Sequence, residues 1–365
     1  MLRRPLLLIA AAALAAAQPA SFDRLFQPLA DAQTPGLAVL IRQNGRTVFE
    51  RGYGVRDLRT HAAIDAATDF RLASFTKQFT AMSVMLLIHD GKLRYDTRLT
   101  DIFPDLPAWA RAITIRHLLT HTAGLPDYED LMPDGRWTAT HQIQDPEALD
   151  LLRQQPRPKF AAGTSWSYSN SAYVVLGLIV AKVSGMPFRD FLHDRIFAPL
   201  GMKRTLLYVN GANTVPNRAY GHSKDGNTFR ETDQSSTSAT QGDGGIYSNL
   251  EDLAKWDDAL RTHRLLSAEE MAPAYVPVTL ADGRPTRWPA APGGDNLAPG
   301  KPVAYGYGWF LDPLGTRART WHSGSSIGFR TVIERFADGL TVIILANRTD
   351  LDPAALADRA ASLIP

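Results

Sequence analysis

The sequence predicts a mixed α/β chain: one antiparallel sheet assembled from both chain ends, with helices on its faces and a mostly helical stretch inserted between. Two patterns carry this expectation. Runs rich in β-formers meet across tight turns near each end, and the middle holds long apolar segments without strand alternation. Near the start, Leu37 to Gln43 and Arg46 to Gly54 flank Asn44-Gly45, a turn whose two central positions need positive φ. Near the other end, Phe329 to Phe336 and Leu340 to Ala346 flank Ala337-Asp338-Gly339, and Pro353 to Leu363 reads as a closing helix with proline where a missing N–H costs little.

The middle elements follow in order. Ser74 to His89 is apolar on all sides, the mark of a buried helix, and Gly91 stops it. Thr114 to Thr120 starts another helix, with Gly124 just beyond its end. Ser171 to Val183 is a third, ended by Ser184-Gly185, and Phe188 to Phe197 a fourth, behind Pro187. Ser248 and Glu251 read as a capping box opening a helix through Trp256 and Leu260. Residues 271–302 carry seven prolines and no periodicity, as expected of a long irregular surface loop. The resulting division is a sheet part from residues 18–100 and 240–365, and an inserted helical part from 101–239.

Composition narrows the function classes. The 365 residues include 39 Lys+Arg, 37 Asp+Glu and no cysteine. Cysteine nucleophiles, disulfides and Cys-based metal sites are thereby excluded, and the near-neutral balance offers no electrostatic footprint for nucleic acid. Met1 to Ala17 reads as a leader: a basic start at Arg3-Arg4, an apolar run from Leu6 to Ala17 too short to span a bilayer, and small residues before Gln18. Its removal takes away two arginines and no acids and leaves a formally neutral chain. The expectation is an exported protein, periplasmic or secreted, with no stable membrane insertion once the leader is gone.

Three constellations carry chemistry. Ser74 and Lys77 stand one helical turn apart at a helix start, where free N–H groups suit an oxyanion and an apolar setting favours an uncharged, base-competent amine. Alone, the bland reading is a helix cap followed by a chance lysine. Tyr168-Ser169-Asn170 precedes an apolar helix; the tyrosine can relay a proton and the amide can bind a substrate carbonyl, unless this is an ordinary loop and cap. His322-Ser323-Gly324 lies before the strand from Phe329. There the glycine admits a ligand backbone, the histidine can hold a carboxylate or help move a proton, and the N–H of Ser325 can complete an oxyanion hole. The bland alternative is a strand-end histidine.

Taken in order, the three motifs resemble those of the serine β-lactamase and penicillin-binding-protein superfamily: Ser-x-x-Lys, Tyr-x-Asn and (Lys or His)-x-Gly. The likeness is to the class C β-lactamase-like branch, which includes DD-peptidases, D-aminopeptidases and esterases. It extends to Arg71-Leu72-Ala73, to Ile113 through Thr122, to Gly124-Leu125, to Gly244-Gly245 and to Tyr305 through Trp309, spanning about residue 22 to the end. The resemblance implies a β-lactamase/transpeptidase-like fold with the active site between its two parts. It also implies a serine hydrolase that acylates Ser74 on ester or D-amino-acid amide substrates, with Lys77, Tyr168 and His322 as its catalytic partners. Ser74 and Ser325 would supply the oxyanion hole, and Asn170, Ser323 and Gly324 would bind substrate. No metal or organic cofactor is implied, and the partner is a small molecule or short peptide. His322 stands where class C β-lactamases carry lysine, which places efficient β-lactam hydrolysis in doubt and leaves a DD-carboxypeptidase or weak β-lactamase as alternatives. A non-catalytic peptidoglycan or peptide sensor is the alternative of another class, distinguished by acylating once without turnover.

Three competing sites are weaker. Gly324 to Gly328 matches the Gly-x-Ser-x-Gly elbow around Ser326, but no histidine follows that serine, as the α/β-hydrolase order demands. His117 and His121 have the spacing of a zinc pair, but Leu118-Leu119-Thr120 lacks the glutamate of His-Glu-x-x-His. The acids between Asp57 and Asp69 have no regular ligand spacing.

Overall fold

The computed structural model describes residues 20–289 and 299–364; the expected leader, residues 1–17, lies outside them. Five strands form one sheet: β1 (Leu37–Gln43), β2 (Arg46–Tyr53), β3 (Arg319–Ser326), β4 (Phe329–Phe336) and β5 (Leu340–Ala346). The order is β3-β4-β5-β1-β2, every pair antiparallel, so the two chain ends meet where Leu37 faces Ala346 and Gln43 faces Leu340. Asn44 and Gly45 both take positive φ in the β1–β2 turn, as that tight hairpin requires.

The apolar runs of β1 and β5 are explained by burial on both faces. Leu37, Val39 and Ile41 point to an outer cluster with Val342, Ile344, Phe22 and Leu356, whereas Ala38, Leu40, Ile343 and Leu345 join the main core. The principal helices are α1 (Lys77–His89), α2 (Asp145–Arg153), α3 (Asn170–Ser184), α4 (Leu250–Arg261) and α5 (Pro353–Ala361). Together with the helical residues 20–26, α5 covers the outer face. On the inner side α1 packs against α3, and its residues from Lys77 to Leu87 are all buried. Gly185 ends α3 in the left-handed conformation.

Several local expectations change. Ser74 lies not in α1 but in a 3₁₀ turn, Ala73–Thr76, that leads into it. The cap of α4 is Asn249, whose side chain accepts the Asp252 N–H; Ser248 ends a short strand and pairs its hydroxyl with Thr205 at 2.7 Å. The helix from Phe188 widens into a π turn at His193–Phe197 and continues to Leu200. A hairpin, His222–Asp225 with Thr228–Glu231, was not expected from sequence. The described residues 271–289 and 299–302 are more ordered than their prolines suggest: a 3₁₀ turn runs over Ala272–Tyr275, and Val278 and Trp288 pack beside Trp166. Pro292 lies outside the described residues. Among the described residues no single helix is long and apolar enough to cross a membrane.

Candidate active site

The turn carrying Ser74 is fixed from three directions. The Leu72 carbonyl accepts the Thr331 hydroxyl of β4 at 2.8 Å, the Leu72 N–H donates to Ile246 at 2.8 Å, and the Ile246 N–H donates to the Thr76 hydroxyl at 3.2 Å. These bonds hold Ala73 at φ +50°, a strained value for a residue with a side chain. Gly324 explains how β3 comes so close: a Cβ there would stand 2.1 Å from the Leu72 carbonyl oxygen. The sequence expectation that this glycine admits a ligand backbone is therefore corrected. It admits the protein's own Leu72–Ala73 segment, and Gly324 is buried.

Lys77 is fully buried directly behind Ser74. Its Nζ lies 3.1 Å from Ser74 Oγ, 2.8 Å from Asn170 Oδ1 and 3.0 Å from the carbonyl oxygen of Asp243. Two of these partners only accept. A neutral amine has two N–H donors and one lone pair, so it can serve Asn170 and Asp243 while accepting from the Ser74 hydroxyl. That arrangement suits the lysine to take the serine proton. The resulting ammonium would find all three of its N–H groups already matched.

The backbone of β3 completes the polar side. Trp321 exchanges both backbone bonds with Phe310 across the outer edge of the sheet. Backbone direction alternates along a strand, so Ser323 and Ser325 also turn their N–H and C=O groups to that edge. Ser325 joins Ser74 and Asn170 in lining a cleft of about 220 Å³, whose wall also includes Arg71, Glu129, Asp243 and a row of hydroxyls from Ser235 to Thr240. Ser323 is absent from that lining; its carbonyl instead lies 2.6 Å from His322 Nδ1.

Tyr168 and His322 stand behind the cleft in an aromatic cage with His121, Trp166, Tyr305 and Phe310. Lys77 Nζ lies 4.9 Å from the centre of the Tyr168 ring, and the Tyr168 hydroxyl is buried without a hydrogen-bond partner among the described residues. His322 is 1% exposed; its Nδ1–H faces the Ser323 carbonyl and its Nε2 lies 3.1 Å from the Tyr305 hydroxyl. Burial, reinforced by the charge of Lys77, pushes this imidazole down to about 3. It is neutral at ordinary pH, and with both nitrogens engaged it offers a substrate carboxylate no positive charge in this arrangement.

The two competing motifs resolve as well. The helix at Ile115–Leu119 ends before His121, which takes φ +60° and turns into the cage, so His117 and His121 share no face. His117 Nδ1 lies 3.2 Å from the Thr114 N–H, and His121 Nδ1 accepts the Ser169 N–H at 3.1 Å. Ser326 lies at the end of β3 on the cleft wall, with no hydrogen-bond partner for its hydroxyl among the described residues.

Sequence reasoning missed Asp243, which contributes a backbone carbonyl that no side-chain pattern announces. It also missed Glu129, whose signal was the acidic pair Asp127 and Glu129 just after Gly124-Leu125. Glu129 is exposed on the cleft rim, yet its carboxyl accepts from Asn170 Nδ2 at 3.2 Å and stands among other acids. Partial loss of water where the carboxyl faces the cleft wall, with Asp127 and Asp243 nearby, pushes it up to about 7 against the pull of Lys77.

Residues 22–364 match the family model described as "Beta-lactamase". The chain belongs to the β-lactamase family. Among relatives of known name, it is 29% identical to penicillin-binding protein 4* of Bacillus subtilis over 340 residues, covering 89% of this chain and 71% of that one. It is 28% identical to esterase EstB of Burkholderia gladioli, covering 92% and 91%. The D-amino acid amidase of Ochrobactrum anthropi superposes with a TM-score of 0.77 at 26% identity, covering 94% of this chain and 98% of the amidase. The mixed α/β architecture is that of β-lactamase/transpeptidase-like proteins, and the chain is a serine hydrolase of this superfamily.

Proposed function

We propose that this β-lactamase-family chain is an exported amidase or peptidase that acylates itself at Ser74, acting on short substrates with an ammonium beside the scissile carbonyl, of the D-amino-acid amide or peptide kind. The observation that carries the catalytic reading is Lys77 Nζ at 3.1 Å from Ser74 Oγ, held there by the Asn170 and Asp243 oxygens, so that the amine in its neutral form can take the Ser74 proton. Ser74 Oγ attacks the carbonyl as Lys77 takes its proton. The N–H groups of Ser74 and Ser325 stabilise the oxyanion; Tyr168 passes a proton to the departing amine as the C–N bond breaks and is reprotonated by the Lys77 ammonium, so both groups return to their starting forms. Water then attacks the acyl carbonyl, giving its proton to the Tyr168–Lys77 pair, and that proton returns to Ser74 Oγ as the acyl bond breaks.

The substrate class is supported by the wall of the cleft, where Glu129 and Asp243 offer negative charge beside Asn170. Two relatives bear names of the same tenor, a D-aminopeptidase of Cereibacter sphaeroides and the D-amino acid amidase. The neutral His322 leaves the third motif without a cation for a β-lactam carboxylate, so cephalosporin hydrolysis is expected to be the slowest activity.

The test is a panel of D-amino-acid amides, D-Ala-D-Ala peptides, short-chain esters and a chromogenic cephalosporin, run with wild type and Ser74→Ala beside labelling by a fluorophosphonate. The expected result is fastest turnover on the D-amino-acid amides, with labelling abolished in Ser74→Ala. Persistent labelling of that variant would sink the nucleophile assignment, and a preference for neutral esters would sink the substrate class.

A further inference from the structure

The proton-relaying hydroxyl of Tyr168 has no hydrogen bond to hold it among the described residues, so its position comes from its backbone and its ring. Both are governed by one residue. The N–H of Ser167, just before Tyr168, donates to the His121 carbonyl at 3.0 Å. The N–H of Ser169, just after it, donates to His121 Nδ1 at 3.1 Å. Between those two bonds the Tyr168 ring packs on the His121 ring, centre to centre 4.4 Å.

We propose that His121 is the positioning residue for Tyr168, a clamp that grips the amide on either side of it and fixes the tilt of its ring. The geometry demands this residue's particular features. Its φ of +60° brings its carbonyl and its side chain onto the same segment 46 or more residues away in sequence. Because Nδ1 accepts a hydrogen bond, the ring proton sits on Nε2, and the imidazole acts as a neutral acceptor rather than an acid. Burial, with the charge of Lys77 opposing a second proton, keeps it so. The inference rests on the reading that Tyr168 moves a proton for Ser74.

The experiment is a double-mutant cycle on a D-amino-acid amide. His121→Phe keeps a ring and removes the acceptor; His121→Asn keeps an acceptor at the same branch position and tolerates positive φ. In the wild-type background, His121→Phe is expected to lower kcat about 10- to 100-fold with KM little changed, the scale of an ångström-sized misplacement. His121→Asn should stay within about threefold of wild type if the acceptor is what matters. In a Tyr168→Phe background the same His121→Phe change should alter the residual rate less than about twofold, because the clamp then has nothing to position. An equal effect of His121→Phe in both backgrounds, or an effect confined to KM, overturns the clamp. Should His121→Phe not fold, His121→Gln, whose acceptor sits one bond farther out, takes its place with the same expectation. If Tyr168→Phe alone leaves kcat at the wild-type value, the reading of Tyr168 fails, an outcome distinct from failure of the clamp.

Discussion

Lys77 and His322 are both buried within one site, yet the protein treats them in opposite ways. Lys77 is met by the oxygens of Ser74, Asn170 and Asp243, so a positive charge arriving there finds its hydrogen bonds already in place. His322 is met by one carbonyl and one hydroxyl, with no carboxylate hydrogen-bonded to it among the described residues and the lysine nearby, so it stays neutral. Burial alone does not decide the charge of a group; the partners waiting for the charged form do. One wall of the site is built to accept a proton and the other to refuse one.

The largest effect should come from breaking the accepting wall. Lys77→Met keeps the length of the side chain and removes the base, and it strands the Asn170 and Asp243 oxygens. A loss of kcat/KM of about 10³-fold or more is expected, read by steady-state kinetics on the best amide substrate. Next, Glu129→Gln should raise KM for ammonium-bearing substrates about 10- to 100-fold and leave a neutral ester nearly unchanged. The sign with pH follows from its raised value. Glu129 gains its charge as pH rises through about 7, so kcat/KM for the amine substrate should climb over that interval, and the Gln variant should lose the climb. Gly324→Ala, which drives a Cβ into the Leu72 carbonyl, should cost about 1–3 kcal/mol in urea unfolding and lower kcat by displacing Ser74.

The refusing wall gives smaller effects. Tyr305→Phe leaves His322 Nε2 buried without its donor, at a cost of about 1–3 kcal/mol and with kcat changed only slightly. His322 itself makes the folded state acid-sensitive. Its folded value of about 3 lies below the 6.5 of a free histidine, so between those values the unfolded chain binds more protons and stability falls as pH falls. His322→Phe should flatten the stability curve over that interval by up to about 1.4 kcal/mol per pH unit, measured by urea unfolding at a series of pH values. An unchanged slope would mean that the imidazole takes up its proton without unfolding.

The same contrast separates what could be read from sequence from what could not. The hairpins at both ends were legible because alternation and Asn44-Gly45 are local signals, and β4 and β5 begin and end where those signals place them. Ser74, Lys77 and Asn170 were legible because side-chain chemistry must be written in residue types. The third acceptor of Lys77 was not: it is a backbone carbonyl 166 positions away, brought there only by the tertiary fold. His121 was misjudged for a related reason. The i, i+4 spacing suggested a shared helix face, and nothing local revealed that the helix stops at Leu119 and the chain reverses at the histidine. The Ser248 cap failed because Asn249, one residue later, offers the better oxygen to the Asp252 N–H.

The strand order has a consequence for how this enzyme is made. β1 is synthesised early, but one of its two neighbours, β5, is encoded some 300 residues later, and β3, which carries Ser325, arrives with it. Until residues 340–346 leave the ribosome, β1 has an open, strongly apolar edge of the kind that recruits foreign strands. The Ser74 turn likewise lacks Thr331 and the approach of Gly324. The growing chain therefore carries Ser74, the proposed nucleophile, for most of its synthesis in an unfinished turn, and the strand pairing that covers the edge of β1 also brings the partners that complete that turn.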